Sequence, residues 1–361
     1  MSEHAYLPPS GAENWVACAM WPEMNRRFPD LGDDEASIDG TLAHAVLQAR
    51  IEGQPEPEGA TDEMRDAAQM VVDHLATLPV HEWVVERRLT GRAIHDSQNW
   101  GTPDLVGWHG MTLYIGDFKF GHGYVEHTRN LQCLNYAILE IDRAVREDGV
   151  DLSALKVVVT IYQPRCYTAA SIRQWSCSGV DALAVRDDLR AAAIRATRLD
   201  RTATTGPQCK HCNGRHACDA LRDAVHPAIE VSRQGTPVEA SLDGLGAELK
   251  VLLGVAERLE ARISGYEEQI KHALKGGQRV AGWALEPVVG REAWTLPAAD
   301  VIALYGPQFA KPPEAITPTQ AIQRKLAPAE VVRAISGRSS AGVKLVPAER
   351  VESKAAEVFK P

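Results

Sequence analysis

Apolar residues recur at helical spacing through the first eighty positions and then switch to short, strand-like runs. Ser10 followed by Glu13 has capping-box spacing, which predicts a helix through Trp15, Val16 and Cys18 that Pro22 stops. A second helix is predicted over residues 38–51, with Leu42, Ala43, Val46 and Leu47 on its apolar side and His44 close by, and a third over 61–78. Residues 83–89, 104–108 and 111–118 are short apolar runs bounded by glycine and polar residues, the pattern of a β-meander. After Gly121 and Gly123 a helix is expected over 125–143. A buried strand follows over 156–162, where Val157, Val158, Val159 and Ile161 leave little room for polar alternation. A further helix over 178–199 leads into a cysteine-bearing turn. The economical packing is an α/β (α+β) domain with a mixed central sheet flanked by helices.

Past about residue 230 the pattern differs. Residues 242–273 carry Leu245, Leu249, Leu252, Leu259, Ile263 and Ile270 roughly on one side of a long helix, ended by Gly276 and Gly277. A hairpin is expected over 280–296 and a short helical segment over 317–336. The division expected is a core over 1–228 and a mainly helical C-terminal extension over 229–361.

Composition narrows the class. With 45% hydrophobic residues in 361, the chain can bury a substantial core. Its formal charge of −9 argues against a protein that coats nucleic acid by bulk positive charge, though a local basic groove is compatible with it. No apolar signal core opens the sequence and no long apolar span follows, so a cytoplasmic protein without membrane attachment is the expectation. The 7 cysteines are an odd number in a chain too long to need disulfide staples, which favours reduced thiols, some of them metal-bound.

The chemistry-bearing residues concentrate on the predicted meander. Period-two geometry puts Asp117 and Lys119 on one face of their strand, at the end of a row formed by Leu113 and Ile115. Asp104 starts the preceding strand, and a reversal at His109-Gly110 brings it back alongside Asp117. Carboxylates that close repel one another unless a cation sits between them, and hard oxygen ligands select Mg²⁺ or Mn²⁺. Such an ion activates water and orients a phosphate, while Lys119 holds the water or offsets developing charge. Glu86, one strand earlier, is the candidate additional carboxylate. Gln132 and Tyr136 lie one helical turn apart and are placed to hydrogen-bond a phosphate or the lysine. For His44 two readings stay open, a satisfied boundary histidine and a metal or phosphate contact.

Cys209, Cys212 and Cys218 form C-x2-C-x5-C in a turn rich in glycine, histidine and asparagine. Three thiolates leave a four-coordinate site one ligand short. His211 or His216 completes a local zinc site, whereas Cys18 completes an iron–sulfur cluster from the far end of the domain. Spacing alone does not choose between them.

Taken in order, these residues resemble the RecB-like branch of the PD-(D/E)XK nuclease superfamily, particularly its iron–sulfur members such as Cas4 and the AddB nuclease domain, and the phage and prophage family DUF2800. The elements are His44, then Asp104 in G-x-x-D, Asp117-Phe118-Lys119, and Gln132 to Tyr136 as Q-x-x-x-Y, across roughly residues 7–225. The resemblance implies a restriction-endonuclease-like fold, with His44, Asp104, Asp117 and the backbone carbonyl of Phe118 as metal ligands. It also implies a 4Fe-4S cluster on Cys18, Cys209, Cys212 and Cys218, in preference to zinc. The function expected is a Mg²⁺- or Mn²⁺-dependent DNA exonuclease in recombination or DNA processing. The alternative is a catalytically inactive DNA-binding or recombination scaffold that keeps the fold. No Walker A sequence occurs, so a helicase, like any recombinase or annealing protein, would be a separate partner.

Overall fold

The computed structural model describes residues 5–31, 35–231, 242–285 and 330. The chain divides into two compact units, Met1–Val289 and Gly290–Pro361. Within the first, the architecture is mixed α/β. Strands β1 (Trp83–Val85), β4 (Leu105–His109), β5 (Thr112–Phe118), β6 (Lys156–Tyr162) and β7 (Ile172–Ser178) stand side by side in that order as a five-stranded sheet. The short β2 (Leu89–Thr90) and β3 (Trp100–Gly101) pair separately. β4 and β5 are antiparallel across a turn at Gly110, whose φ of 53° suits glycine. β5 and β6 are parallel, joined through helix α5 (Leu131–Asp148), and β7 returns antiparallel to β6.

Helices cover both faces of the sheet. On one, α1 (Ala12–Ala17), α5 and α6 (Gly179–Thr197) pack on Leu113, Ile115, Val157 and Val159; on the other, α3 (Glu35–Glu52) and α4 (Asp62–Leu75) pack on Leu105, Phe118 and Tyr162. Because β6 is covered on both sides, all its residues after Lys156 are buried, which is why its sequence reads as an unbroken apolar run. Each large side chain buried this way contributes roughly 1.5–3 kcal/mol, so the sheet's centre is its stable part.

Several expected boundaries move. The capping box at Ser10 does not form: α1 begins at Ala12 behind Gly11, with no side-chain cap. Pro22 opens a new helix, α2 (Trp21–Arg27), instead of closing the first, because its fixed φ and missing N–H suit a first turn. The run over 83–89 splits at Glu86, where φ is 49°. The helix expected from 125 starts at Leu131, where the Asn130 side chain accepts a hydrogen bond from the amide of Cys133 at 3.0 Å. β7 was not expected. Its inward Arg173 hides a period-two pattern in which Trp175 and Cys177 pack on the core.

Downstream of α7 (Asp219–Val231), the long helix α8 (Leu242–Lys275) matches its expected span and packs on α7 and on the turns that carry the late cysteines. Residues 280–285 of the expected hairpin form a turn closed by the hydrogen bond from the Trp283 amide to the Val280 carbonyl at 3.2 Å; the remainder, like 317–336 apart from Glu330, lies outside the described residues. Among the described residues no helix is long and apolar enough to cross a membrane.

One buried ion network ties α5 to the sheet edge. The fully buried Glu140 accepts hydrogen bonds from Arg87 at 2.7 Å, Arg143 at 2.9 Å and Trp108 at 3.0 Å. Burial pushes its carboxyl up, but the Arg143 and Trp108 hydrogen bonds and the Arg87 charge outweigh burial and hold it below the ordinary 4.5. With the folded value depressed, the stabilisation is complete above about 4.5 and disappears as pH falls through the folded value. Glu140→Gln should therefore cost about 1.5–3 kcal/mol at neutral pH by removing the charge from the hydrogen bonds that the half-buried Arg87 and Arg143 make to it. In urea titrations the gap from wild type should close below pH 4.5, and a gap independent of pH would contradict this account.

Candidate metal centre

The site is built where β5 ends. Alternation along β5 puts Leu113, Ile115 and Asp117 on the α5 side and Phe118 on the α3 side. Asp117 is 2% exposed, and its Oδ1 accepts a hydrogen bond from Gln132 Nε2 at 2.8 Å and an ion pair from Lys119 Nζ at 3.1 Å. Lys119 also donates to Gln132 Oε1 at 3.2 Å, which closes a triangle between strand and helix. One turn on, the hydroxyl of Tyr136 hydrogen-bonds Gln132, and burial holds it far above its ordinary pKa, so it stays protonated. The glycine of G-x-x-D is set by crowding, since a Cβ on Gly101 would stand 2.8 Å from Pro9 and 3.0 Å from Tyr136.

Asp104 precedes β4, whose register pairs Leu105 with Gly116, and so lies beside the end of β5. Its Oδ2 accepts the amide hydrogen of Phe118 at 2.6 Å. Its Oδ1 lies 3.2 Å from Nδ1 of His44, delivered by α3 and packed edge-on against the Phe118 ring at 5.3 Å. Glu86 completes the group: His44, Glu86 and Asp104 each offer one ligand atom, all within 4.8 Å of one another, the one such cluster among the described residues. Two ligands at 2.1 Å from an octahedral ion stand about 3.0 Å apart, close to the His44–Asp104 separation. The structure thus brings His44, Glu86 and Asp104 into one cluster, while Asp117 stands next to it, held by Lys119 and Gln132.

Electrostatics point the same way. Burial, then the charge of Asp104, pushes the Glu86 carboxyl up to about 7. Burial likewise raises Asp117 to about 6, against the pull of Lys119. Burial opposes charge on His44 and Lys119, but Asp104 on the former and Asp117 with Asp104 on the latter outweigh it and raise both. Oδ2 of Asp117 is buried with no hydrogen-bond partner. A crowded acid group with an orphaned carboxylate oxygen fits a cation, and a donor set of imidazole plus carboxylates suits Mn²⁺ or Mg²⁺. Glu86 reaches the group only through its left-handed backbone, a conformation that costs roughly 1–2 kcal/mol at a residue with a Cβ.

A second site lies at the other end of the domain core. Cys18 follows α1, Cys209 and Cys212 sit around a 3-10 turn over Pro207–His211, and Cys218 precedes α7; all four line one apolar cavity of about 20 Å³ and none is in a disulfide. The thiol of Cys212 is pushed up to about 12 by burial, with the other three sulfurs adding to the rise. His211 and His216 do not line the cavity, and the His216 ring stacks edge-on against Phe28 at 4.7 Å. The four sulfurs do not all fall within 4.8 Å of one another, wider than the roughly 3.8 Å expected for tetrahedral zinc with 2.3 Å bonds.

Residues 4–305 match the family described as "Protein of unknown function (DUF2800)". The chain belongs to that family. The DUF2800 match spans every residue of both sites, from Cys18 to Cys218. Sequence reasoning missed one organising residue beside the metal centre: Gln163, fully buried immediately after β6, whose legible signal was an amide ending the apolar run Val157 to Tyr162.

Titration with Mn²⁺, read by loss of the free-ion electron paramagnetic resonance signal, should show one tight site in the DUF2800 protein. His44→Ala and Asp104→Asn should each weaken it by at least about tenfold, the loss that follows even when only a ligand's hydrogen-bond partner is removed. Unchanged affinity in Asp104→Asn would contradict the assignment.

Proposed function

We propose that this chain is a divalent-metal-dependent deoxyribonuclease of the RecB-like PD-(D/E)XK type, acting as an exonuclease at DNA ends. The observation that carries the reading is the convergence, at one end of the sheet, of the His44–Glu86–Asp104 cluster and the Asp117–Lys119–Gln132 triangle. The order of these residues along the chain and the parallel β5–α5–β6 crossover support it.

In this reading His44, Glu86 and Asp104, with Asp117 and the carbonyl of Phe118, would hold the ion, which would supply Lewis acidity toward a phosphate oxygen and activate water. Lys119, kept charged by Asp117 and Asp104, donates to the attacking water or to the phosphate as negative charge grows. Gln132 fixes the lysine's direction, and Tyr136, protonated and buried, fixes Gln132. The four cysteines would hold a 4Fe-4S cluster that fastens the start of the domain to its end. A recombinase, annealing protein or helicase would supply the ends.

Asp117→Asn and Lys119→Ala should lower Mg²⁺- or Mn²⁺-dependent hydrolysis of end-labelled linear DNA by about a thousandfold with far-ultraviolet circular dichroism unchanged. DNA binding without cleavage in the wild type would instead favour a scaffold that keeps the fold. For the cysteines, anaerobic purification should give four iron and four sulfide per chain and absorption near 400 nm, on the order expected for one cubane. Cys218→Ser should lose both, and stoichiometric zinc in the wild type would overturn the cluster.

A further inference from the structure

Aromatic rings crown the two loops that leave the carboxyl ends of the parallel strands β5 and β6. Tyr124 is 44% exposed and Tyr167 67% exposed, and the His122 and Tyr167 rings lie 5.6 Å apart with a 32° tilt. Exposed rings contribute little to a core. Yet the loop that carries two of them is held from beneath by buried polar groups. Gln163 donates to the carbonyls of Gly121 and Gly123 and accepts from the amide of Val125 at 3.2 Å and from Arg173 at 2.7 Å. Arg173, itself buried, also donates to the carbonyls of Val125 and Ala170 and places its guanidinium 4.9 Å from the Tyr124 ring centre. The second loop is anchored by Arg165, stacked on Phe120 at 3.7 Å and paired with Glu63 and Asp39.

A glycine-bearing segment left to itself would sample many backbones. Here it is fixed while its rings face solvent, which is the arrangement a binding surface requires. The loop starts one residue after Lys119 and ends at Asn130, which caps the helix carrying Gln132, so both of its ends are tied to the metal centre. Arg129, exposed and in left-handed backbone with φ 52°, adds positive charge near that end. Of the nearby carboxylates, Glu63 and Asp39 are paired with Arg165, and Glu126 accepts the amide hydrogens of His127 and Thr128 at 2.9 and 2.8 Å, which offsets their charge. Ligands of open α/β sheets bind outside the carboxyl ends of parallel strands, where this surface lies.

We propose that His122, Tyr124 and Tyr167 form a stacking platform for the bases of a single-stranded nucleic acid whose backbone runs on into the metal centre; the identity of the polymer rests on the nuclease reading above. Duplex bases are stacked on each other and offer no face to exposed rings, whereas every unpaired base does. The platform therefore selects single strands and is tolerant of sequence.

The test is fluorescence anisotropy of a labelled 15-nucleotide thymidine oligomer with the full chain in Ca²⁺. Tyr124→Ala and Tyr167→Ala should each weaken binding about tenfold, the double variant more, and Phe at either position should restore it. An abasic oligomer of equal length should bind the wild type as poorly as thymidine oligomer binds the double variant. Affinity for Mn²⁺, read by loss of the free-ion electron paramagnetic resonance signal, should be unaffected, since no platform residue is among the ligands His44, Glu86 and Asp104. Undiminished affinity in the double variant, equal binding of the abasic oligomer, or no binding of thymidine oligomer by the wild type would each overturn the platform. Stacking-dependent binding in a protein that cleaves nothing would leave the platform standing and sink the nuclease reading.

Discussion

The hydrogen bond from the amide of Phe118 to the carboxylate of Asp104 is the constraint around which the site is organised. It joins the last residue of β5 to the residue before β4, and so fixes where one strand stops relative to where its neighbour begins. A one-residue slip of this pair would turn Asp117 to the α3 side and Phe118 to the α5 side. Burial of Leu113 and Ile115 against α5, and of Phe118 against α3 and α4, forbids that slip. Hydrophobic packing on two faces thus sets the register, and the register sets the position of the charges.

Those charges crowd one another. Glu86, Asp104 and Asp117 share a small volume with Lys119 and His44, and burial favours the neutral forms of Glu86 and Asp117. The fold resolves part of this by hydrogen bonds: Gln132 and Lys119 serve one oxygen of Asp117, and Phe118 and His44 serve Asp104. The other oxygen of Asp117 is left without a partner, and Glu86 is held in a backbone region that residues with a Cβ avoid. Groups kept in such a state at the end of a rigid sheet are pre-set for a ligand that folding itself does not provide.

Most of this arrangement could be read from the residues because it follows from periodicity. The placement of Asp117 and Lys119 on one face of β5 needs only a period of two, and the burial of β6 needs only its apolar run. His44 lies in a segment whose helical spacing was plain, and α8 kept its expected span. Features set by long-range contact were not legible. The break at Glu86 and the late start of α5 depend on backbone conformations that neighbouring residues do not dictate. β7 escaped notice because its one inward polar residue, Arg173, is satisfied by carbonyls of distant loops. Pro22 was misread because a proline suits a helix's first turn as well as its end, and only the packing of Trp21 on the cysteine turn shows which applies. The joining of Glu86 to His44 and Asp104 is likewise a property of three chain segments meeting, although its carboxylate was a candidate from the start.

The long helix α8 closes over the cysteine turns: Arg215, buried between them, reaches Ser264 and Glu268 on that helix, and Gly265 lies so near Arg215 that a methyl group there would stand 2.8 Å from its side chain. The sulfur-lined cavity and this arm therefore share a wall. Shortening the polypeptide ahead of α8 would strip that cover from the thiols and open them to oxidants, so fragments trimmed to the sheet domain would age by a chemistry the intact chain resists.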